Sequence, residues 1–396
     1  MPTYPTYKLS KIARSTKGKK PKSVSKEKKD GFEIPYVDIK AFEKGIVDNY
    51  TDGENCTFCK PDDVLIVWDG ARCGFVGRGV EGAIGSTLAK ISSDKYTNDF
   101  LFYFLQSKYK VLNSNPRGVG IPHIEPNLLW NFEIPDVDKN TQQAIVARIE
   151  ALFAELDKAV QHLRIAQQQL KTYRQAVLNH WLTNGSEKWQ HTTIGNIVEK
   201  VEYGSSAKSE KEGKVPVLRM GNIQKGRFDW SDLVYSNDDE EISKYLLKKD
   251  DVLFNRTNSP ELVGKTAIYK GERPAIFAGY LIRLHYKKDL INADFLNYYL
   301  NSDIARNYGN TVKSDGVNQS NINGQKLKTY PLYLPPLAEQ QRIVKEIESR
   351  LSQATATETY IENALQQAEA LRQSILKKAF SGELVVSTSS TTSKGG

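Results

Sequence analysis

Cysteine is scarce in this chain. The three present in 396 residues (Cys56, Cys59 and Cys73) are too few and too clustered for a disulfide framework, and a reducing cytoplasm is the compartment they fit. Cys56 and Cys59 could open a zinc site with Cys73 as a third ligand. No second C-x-x-C follows, and the next histidine downstream is His123, so free thiols are the expectation and no metal is assigned. Long apolar runs are also missing. Nothing approaches the roughly 18 consecutive apolar residues of a membrane span, and the first 22 residues are polar and basic, without the apolar core of a secretory signal. No Walker A run is present, which removes that class of ATP site. There is also no NPPY or DPPF run of the kind adenine methyltransferases carry. The run GRGVEG at residues 77–82 matches G-x-G-x-x-G, but no helix opens after it, so it predicts a turn and no cofactor site. The five histidines (His123, His162, His180, His191 and His285) fall in unrelated contexts. The acidic pairs Asp62-Asp63 and Asp250-Asp251 read as turns before strands.

With 39% hydrophobic and 26% charged residues, the composition is that of a soluble globular chain. Its length fits two or three domains. The formal net charge of +8 sits entirely in residues 1–30, which hold ten basic and two acidic groups, so charge alone points to a polyanion only weakly.

The organisation is more telling, because the chain repeats itself. TQQAIV at 141–146 resembles EQQRIV at 339–344, an offset of 198 residues or half the chain. Ile149-Glu150 then matches Ile347-Glu348, Arg174-Gln175 matches Arg372-Gln373, and Leu178 matches Leu376. Upstream, PYVDIKAFEKG at 35–45 resembles PVLRMGNIQKG at 216–226, and DDVL recurs at 62–65 and 250–253. DFL recurs at 99–101 and 294–296, Gly118-Val119 with Ile124 resembles Gly316-Val317 with Ile322, and Ile134-Pro135 resembles Leu334-Pro335. The order is the same in both halves, and the drifting offsets are what loop insertions produce.

Each half ends in a long run free of Gly and Pro. Residues 143–182 place Ile145, Ile149, Leu152, Leu156, Ala159, Leu163, Ala166, Leu170, Tyr173 and Val177 at alternating steps of four and three, a heptad seam. Residues 338–380 carry the equivalent seam of Ile343, Ile347, Arg350, Ala354, Thr357, Ile361, Ala364, Ala368, Leu371 and Ile375, interrupted at Arg350 and Thr357, with Leu351 available beside Arg350. Gly185 and Gly382 are the stops. A lone helix of this kind cannot bury its seam, so the two are expected to pair within the chain as an antiparallel coiled coil; dimerisation between chains is the alternative. As rods of roughly 60 Å, they would act as a ruler.

The blocks before the helices read as mixed and mostly β. Short apolar or β-branched runs at 64–67, 217–220, 252–254, 266–269 and 280–284 predict strands, and aromatic-rich periodic segments at 99–107 and 293–302 predict one short helix per block.

A duplicated block plus helix, with LPPLAEQQRIV at 334–344 and FSGEL at 380–384, resembles the specificity subunit of Type I restriction-modification systems over nearly the whole chain. The first copy departs from that pattern, with PDVDKNT before Gln142. The fold class implied is α+β: two mostly-β target recognition domains in a pseudo-two-fold arrangement, separated by two long helices forming an antiparallel coiled coil. The divisions are residues 1–140 and 186–336 for the recognition domains, 141–185 and 337–384 for the spacer helices, and 385–396 for a disordered Ser/Thr-rich tail. The resemblance also implies a non-catalytic, cytoplasmic subunit without cofactor. It would bind double-stranded DNA at a bipartite asymmetric target. Two methyltransferase (M) subunits would carry S-adenosylmethionine and flip the target adenine, and restriction (R) subunits would join for cleavage.

Arg and Lys read guanine, Asn and Gln read adenine, and basic groups hold phosphates. On that chemistry the expected DNA contacts in the second block are Arg219, Asn222, Arg256, Asn258, Lys313, Asn318 and Gln319. In the first block they are Lys40, Trp68, Arg72, Arg117 and His123, with Lys17, Lys19, Lys20 and Lys22 as a phosphate clamp. Two other classes of function remain open on the sequence: a coiled-coil scaffold for proteins, and a metal-dependent nuclease using the Asp62 and Asp250 regions.

Overall fold

The computed structural model describes residues 4–118 and 120–384. The tail at 385–396, expected to be disordered, lies outside the described residues, as does Val119. The chain forms two compact units: unit 1 is residues 1–163 with 363–396, and unit 2 is residues 164–362.

Each unit is built on the same three pairings of strands. In unit 1 a four-stranded antiparallel sheet has the order Arg14–Lys17, Leu88–Ser92, Val64–Val67, Val76–Arg78. In unit 2 the counterpart runs Val198–Tyr203, Leu281–Tyr286, Val252–Asn255, Thr266–Ile268. A second sheet in each unit contains one parallel pair, Ile34–Val37 with Gly82–Ile84 in unit 1 and Val215–Leu218 with Ile276–Phe277 in unit 2. The third pairing ties the start of each block to the strand before its long helix: Thr6–Lys8 with Glu133–Pro135, and Gln190–Thr193 with Pro331–Leu334.

Central strands such as Val64–Val67 and Val252–Asn255 are buried on both faces, which is why they read as continuous apolar runs without alternation. The acidic pairs sit in matching turns. Asp63 accepts the Lys60 N–H and Asp251 accepts the Lys248 N–H, each at 2.9 Å, one residue before the strand. The run at 77–82 passes from strand Val76–Arg78 to strand Gly82–Ile84 with no helix between them.

The helices of the blocks are longer than the sequence suggests. In unit 1 the segment expected at 99–107 runs as Asn98–Ser114. In unit 2 the segment expected at 293–302 is two helices, Ala293–Leu300 and Asp303–Val312. The break falls at Ser302, whose hydroxyl donates to the Tyr299 carbonyl and accepts the Ala305 N–H, capping the second helix.

The first long helix is Lys139–Thr183 and the second Leu337–Ser381, 45 residues each. Both are followed by a glycine with positive φ, Gly185 at 95° and Gly382 at 85°. In unit 1, Ile145, Ile149 and Phe153 from the start of the first helix share a core with Ile375, Leu376 and Ala379 from the end of the second. In unit 2, Val177, Leu178 and Leu182 from the end of the first pack with Ile343, Val344 and Ile347 from the start of the second. The pairing is therefore intramolecular and antiparallel. Ion pairs flank it, Arg372 with Asp157 in unit 1 and Arg174 with Glu358 at 3.1 Å in unit 2.

The seam differs from a regular heptad. Tyr173 and Leu371 are exposed, while Phe153 and Leu376 are buried. Leu351, not Arg350, packs on the unit 2 core, and the Arg350 guanidinium lies over the Trp181 ring at 5.8 Å. The sheets of each unit compete for the helix surface, so the buried stripe turns away from the partner helix toward the block. Among the described residues no helix is long and apolar enough to cross a membrane.

Candidate nucleic-acid interface

In unit 2 the strand Val252–Asn255 and the parallel pair Val215–Leu218 and Ile276–Phe277 deliver their C-terminal ends to one place. Arg219 follows the first strand of that parallel pair, and the Ala278 N–H donates to the Leu218 carbonyl at 2.9 Å. Gly279 and Tyr280 follow, and the Arg256 N–H donates to the Tyr280 carbonyl at 3.0 Å. Beyond Arg256, Thr257–Asn258 pairs with Ser320–Asn321, which pairs with Ser314–Asp315. Arg256, Asn258, Lys313, Asn318 and Gln319 thus belong to one three-stranded polar rib, although they lie up to 63 residues apart in sequence.

Their side chains are not equivalent. Arg256 donates from Nε to the Gly279 carbonyl at 3.0 Å and its guanidinium lies 4.9 Å from the centre of the Tyr203 ring, which fixes its direction. Asn258 accepts the Ser259 N–H at 2.9 Å. Lys313 is spent at the base of the hairpin: its side chain is only 14% exposed, with Nζ 3.4 Å from the Pro260 carbonyl and 3.7 Å from Asp315. Asn318 and Gln319 stand exposed at the tip. Arg219 pairs with Asp232 at 3.1 Å.

Asn222 is a correction. It is 3% exposed, its Oδ1 accepts the Arg219 N–H at 2.8 Å, and its Nδ2 donates to the Asp229 and Asp232 carbonyls. Its amide closes its own loop and offers nothing to a base.

Unit 1 repeats the framework with other side chains. Trp68 occupies the place of Arg256: its N–H donates to Thr87 and its carbonyl accepts the Ile124 N–H, as Arg256 does with Tyr280 and Ile322. Asp69 bridges His123, and His123 bridges Arg117 through two backbone hydrogen bonds, matching the three strands of the unit 2 rib. The Asp69 carboxylate holds Lys17 at 2.8 Å and His123 at 2.7 Å. Partial burial alone would raise the Asp69 carboxyl, but the hydrogen bonds from Lys17 and His123 outweigh it and hold it below the usual carboxylate range. Lys19, Lys20 and Lys22 are exposed on the segment that leaves the edge strand, and the Lys19 N–H donates to the Ile84 carbonyl at 3.1 Å. Lys40 lies on the short helix Ile39–Lys44, and Arg72 is paired to that helix. Lys40 pairs with Asp48, and Arg72 pairs with Glu43 at 2.7 Å and covers the Phe75 ring at 4.0 Å.

Residue chemistry alone misses Tyr203, Tyr280 and Val317, which are 41%, 51% and 100% exposed on or beside the rib. The run at 280–284 reads as a strand, but nothing in it marks which end stays outside.

Comparison with known proteins decides the family. The profile described as "Type I restriction modification DNA specificity domain" matches residues 1–163 and again 186–367. The chain belongs to this family. It is 28% identical over 347 residues to the Type I restriction enzyme StySPI specificity subunit of Salmonella potsdam, covering 82% of this chain and 75% of that one. It is 29% identical over 351 residues to the EcoKI specificity subunit of Escherichia coli K12, with the same coverage. Among solved structures, a chain from work on complex assembly and conformational transition of the type I R-M system superposes with a TM-score of 0.74 at 19% identity, covering 97% of this chain and 99% of that one. The HsdS subunit of Thermoanaerobacter tengcongensis gives 0.55 at 20% identity, covering 96% and 97%. The specificity-subunit family thus fits the duplicated framework of units 1 and 2, and its fold is theirs.

Proposed function

We propose that this specificity subunit reads a bipartite, asymmetric DNA target, residues 1–140 contacting one half and 186–336 the other. The helices at 141–185 and 337–384 set the unread interval and carry two methyltransferase subunits. The chemistry belongs to those partners, and to restriction subunits where cleavage follows. The setting is the cytoplasm, where host DNA is available.

One observation carries this reading. The same backbone pairings present different side chains in the two units: Trp68, His123 and Arg117 in unit 1, against Arg256, Asn321 and Ser314 in unit 2. A repeated framework with unlike side chains suits two unlike half-sites. Two readers in one chain also suit a split target.

The test is a methylation map. Co-expression with the cognate methyltransferase subunit, followed by sequencing of host DNA for N6-methyladenine, is expected to return one motif of two short parts around a fixed gap. A stable complex that leaves the DNA unmethylated would favour a protein scaffold. Within that assay, Arg256→Ala is expected to relax one half-site alone, with about 1–3 kcal/mol of discrimination lost there. Equal weakening on every sequence would place Arg256 on the phosphates.

A further inference from the structure

We propose that Val317, at the tip of the unit 2 hairpin, reads the methyl group of a thymine in the major groove, in a base pair whose adenine is addressed by Asn318 or Gln319. This rests on the DNA-reading proposal above and names what that site recognises.

The hairpin is narrow. Asp315 pairs with Ser320 and Ser314 with Asn321, and the Gly316 N–H donates to the Gln319 carbonyl at 2.7 Å. Only Val317 and Asn318 form the tip. Val317 is 100% exposed, the most extreme among the large apolar residues described, and its neighbours are Gly316, Asn318 and Gln319. A single exposed valine needs no explanation by itself. Here it stands at the two-residue turn of a short hairpin in the three-stranded rib, and β-strands are among the elements the major groove admits. Asn and Gln make paired hydrogen bonds to adenine N6 and N7, and an apolar side chain packs on the thymine C5-methyl. The tip therefore holds both halves of the chemistry of an A·T pair. At the hairpin base, Lys326 donates to the Ser314 hydroxyl at 2.6 Å, so a cation of the type that holds phosphates stands beside the hairpin.

The feature recurs. The unit 1 loop that follows Arg117 presents Ile121 at 65% exposure, flanked by Gly120 and Pro122. A minor-groove wedge is the competing use of an exposed apolar tip; the thymine methyl lies in the major groove, so its removal would leave a minor-groove wedge unaffected.

The experiment uses the full chain assembled with its methyltransferase subunits, on target duplexes in which each thymine of the unit 2 half-site is replaced in turn by deoxyuridine. That change removes only the methyl. At one position the wild-type complex is expected to lose about fourfold in affinity, and Val317→Ala is expected to shrink that penalty. Ile121→Ala, in the other unit, should leave it intact. The proposal is overturned if no thymine shows a methyl effect larger for wild type than for V317A, or if the half-site contains no A·T pair, while sequence-specific binding persists. Loss of all sequence-specific binding in the wild-type complex overturns the DNA-reading proposal itself, so the two failures are distinguishable.

Discussion

Gln340→Leu is expected to destabilise unit 2 by about 3–5 kcal/mol, although it replaces one uncharged residue by another of similar size. Gln340 is 0% exposed. Its Oε1 accepts the Asn292 N–H at 2.7 Å, and its Nε2 donates to the Leu290 and Pro335 carbonyls at 2.9 and 2.8 Å. Asn292 caps the helix Ala293–Leu300, and Pro335 lies just ahead of the second long helix, so one amide pins two helix starts together. Leucine would strip one buried and two partly buried backbone groups of their partners, at roughly 1–3 kcal/mol each, with the partly buried groups toward the lower end. Gln142 does the same in unit 1: its Oε1 accepts the Thr97 N–H at 2.9 Å, and its Nε2 donates to the Val137 carbonyl at 3.0 Å. The adjacent Gln341 is exposed, and Gln341→Leu should change stability by no more than about 0.5 kcal/mol. Urea unfolding followed by tryptophan fluorescence suits the comparison, since buried Trp189 donates to Glu339 at 3.2 Å, one residue from the clamp. Equal effects of the two substitutions would mean that the pair acts through helix propensity and not through the clamp.

That pair also shows what the sequence makes legible. The repeated QQ at 142–143 and 340–341 is visible as a motif, and the offset of 198 residues exposes the duplication. Only the backbone around it reveals that the first glutamine is a buried clamp and the second a surface residue. The long helices are legible because a period near 3.6 needs no tertiary information. Their exact buried stripe is not, because Phe153 and Leu376 answer to the blocks they touch. The strands at 64–67 and 252–254 are legible as apolar runs, yet which strands pair in parallel depends on connections that no local pattern encodes.

The candidate site was partly legible for a similar reason. Residue type points to Arg256, Asn318 and Gln319, and the fold gathers them on one rib. Residue type also points to Asn222, and burial with full hydrogen bonding removes it. Lys40 and Arg72 carry the right charge, but each meets a carboxylate of its own surface, as a composition argument cannot foresee.

Glu202→Gln is expected to lower the stability of unit 2 by about 2–3 kcal/mol at neutral pH, and the deficit should shrink in acid. Arg283 is 6% exposed on the strand Leu281–Tyr286. It donates from Nε to Glu202 at 2.9 Å and from Nη1 to Asp251 at 3.0 Å and to the Leu246 carbonyl at 2.9 Å, while His285 Nε2 lies 2.8 Å from the same Glu202 oxygen. Removing one partner leaves a buried guanidinium undercompensated, a change that costs about 3–5 kcal/mol for a fully buried pair. The lower figure follows because Glu202 is 22% exposed and Asp251 remains. Burial alone would raise the Glu202 carboxyl, but the hydrogen bonds from His285 and Arg283 and their charges outweigh it, holding it below the usual range. A carboxyl depressed by folding stabilises the fold above its unfolded pKa of about 4.3, and that contribution is lost as pH falls through the folded value. Wild type and Glu202→Gln should therefore converge in acid, because the protonated glutamate and the glutamine are both neutral. Unfolding measured at pH 7 and again below pH 4 separates charge from packing: a deficit unchanged in acid would assign the loss to shape. Glu202, Asp251 and Arg283 hold together the three strands that carry Tyr203, Arg256 and Tyr280 at one end. If unit 2 reads the half-site proposed for it, the same substitution should blur that half-site before it affects the one proposed for unit 1, and the methylation map would record that asymmetry directly.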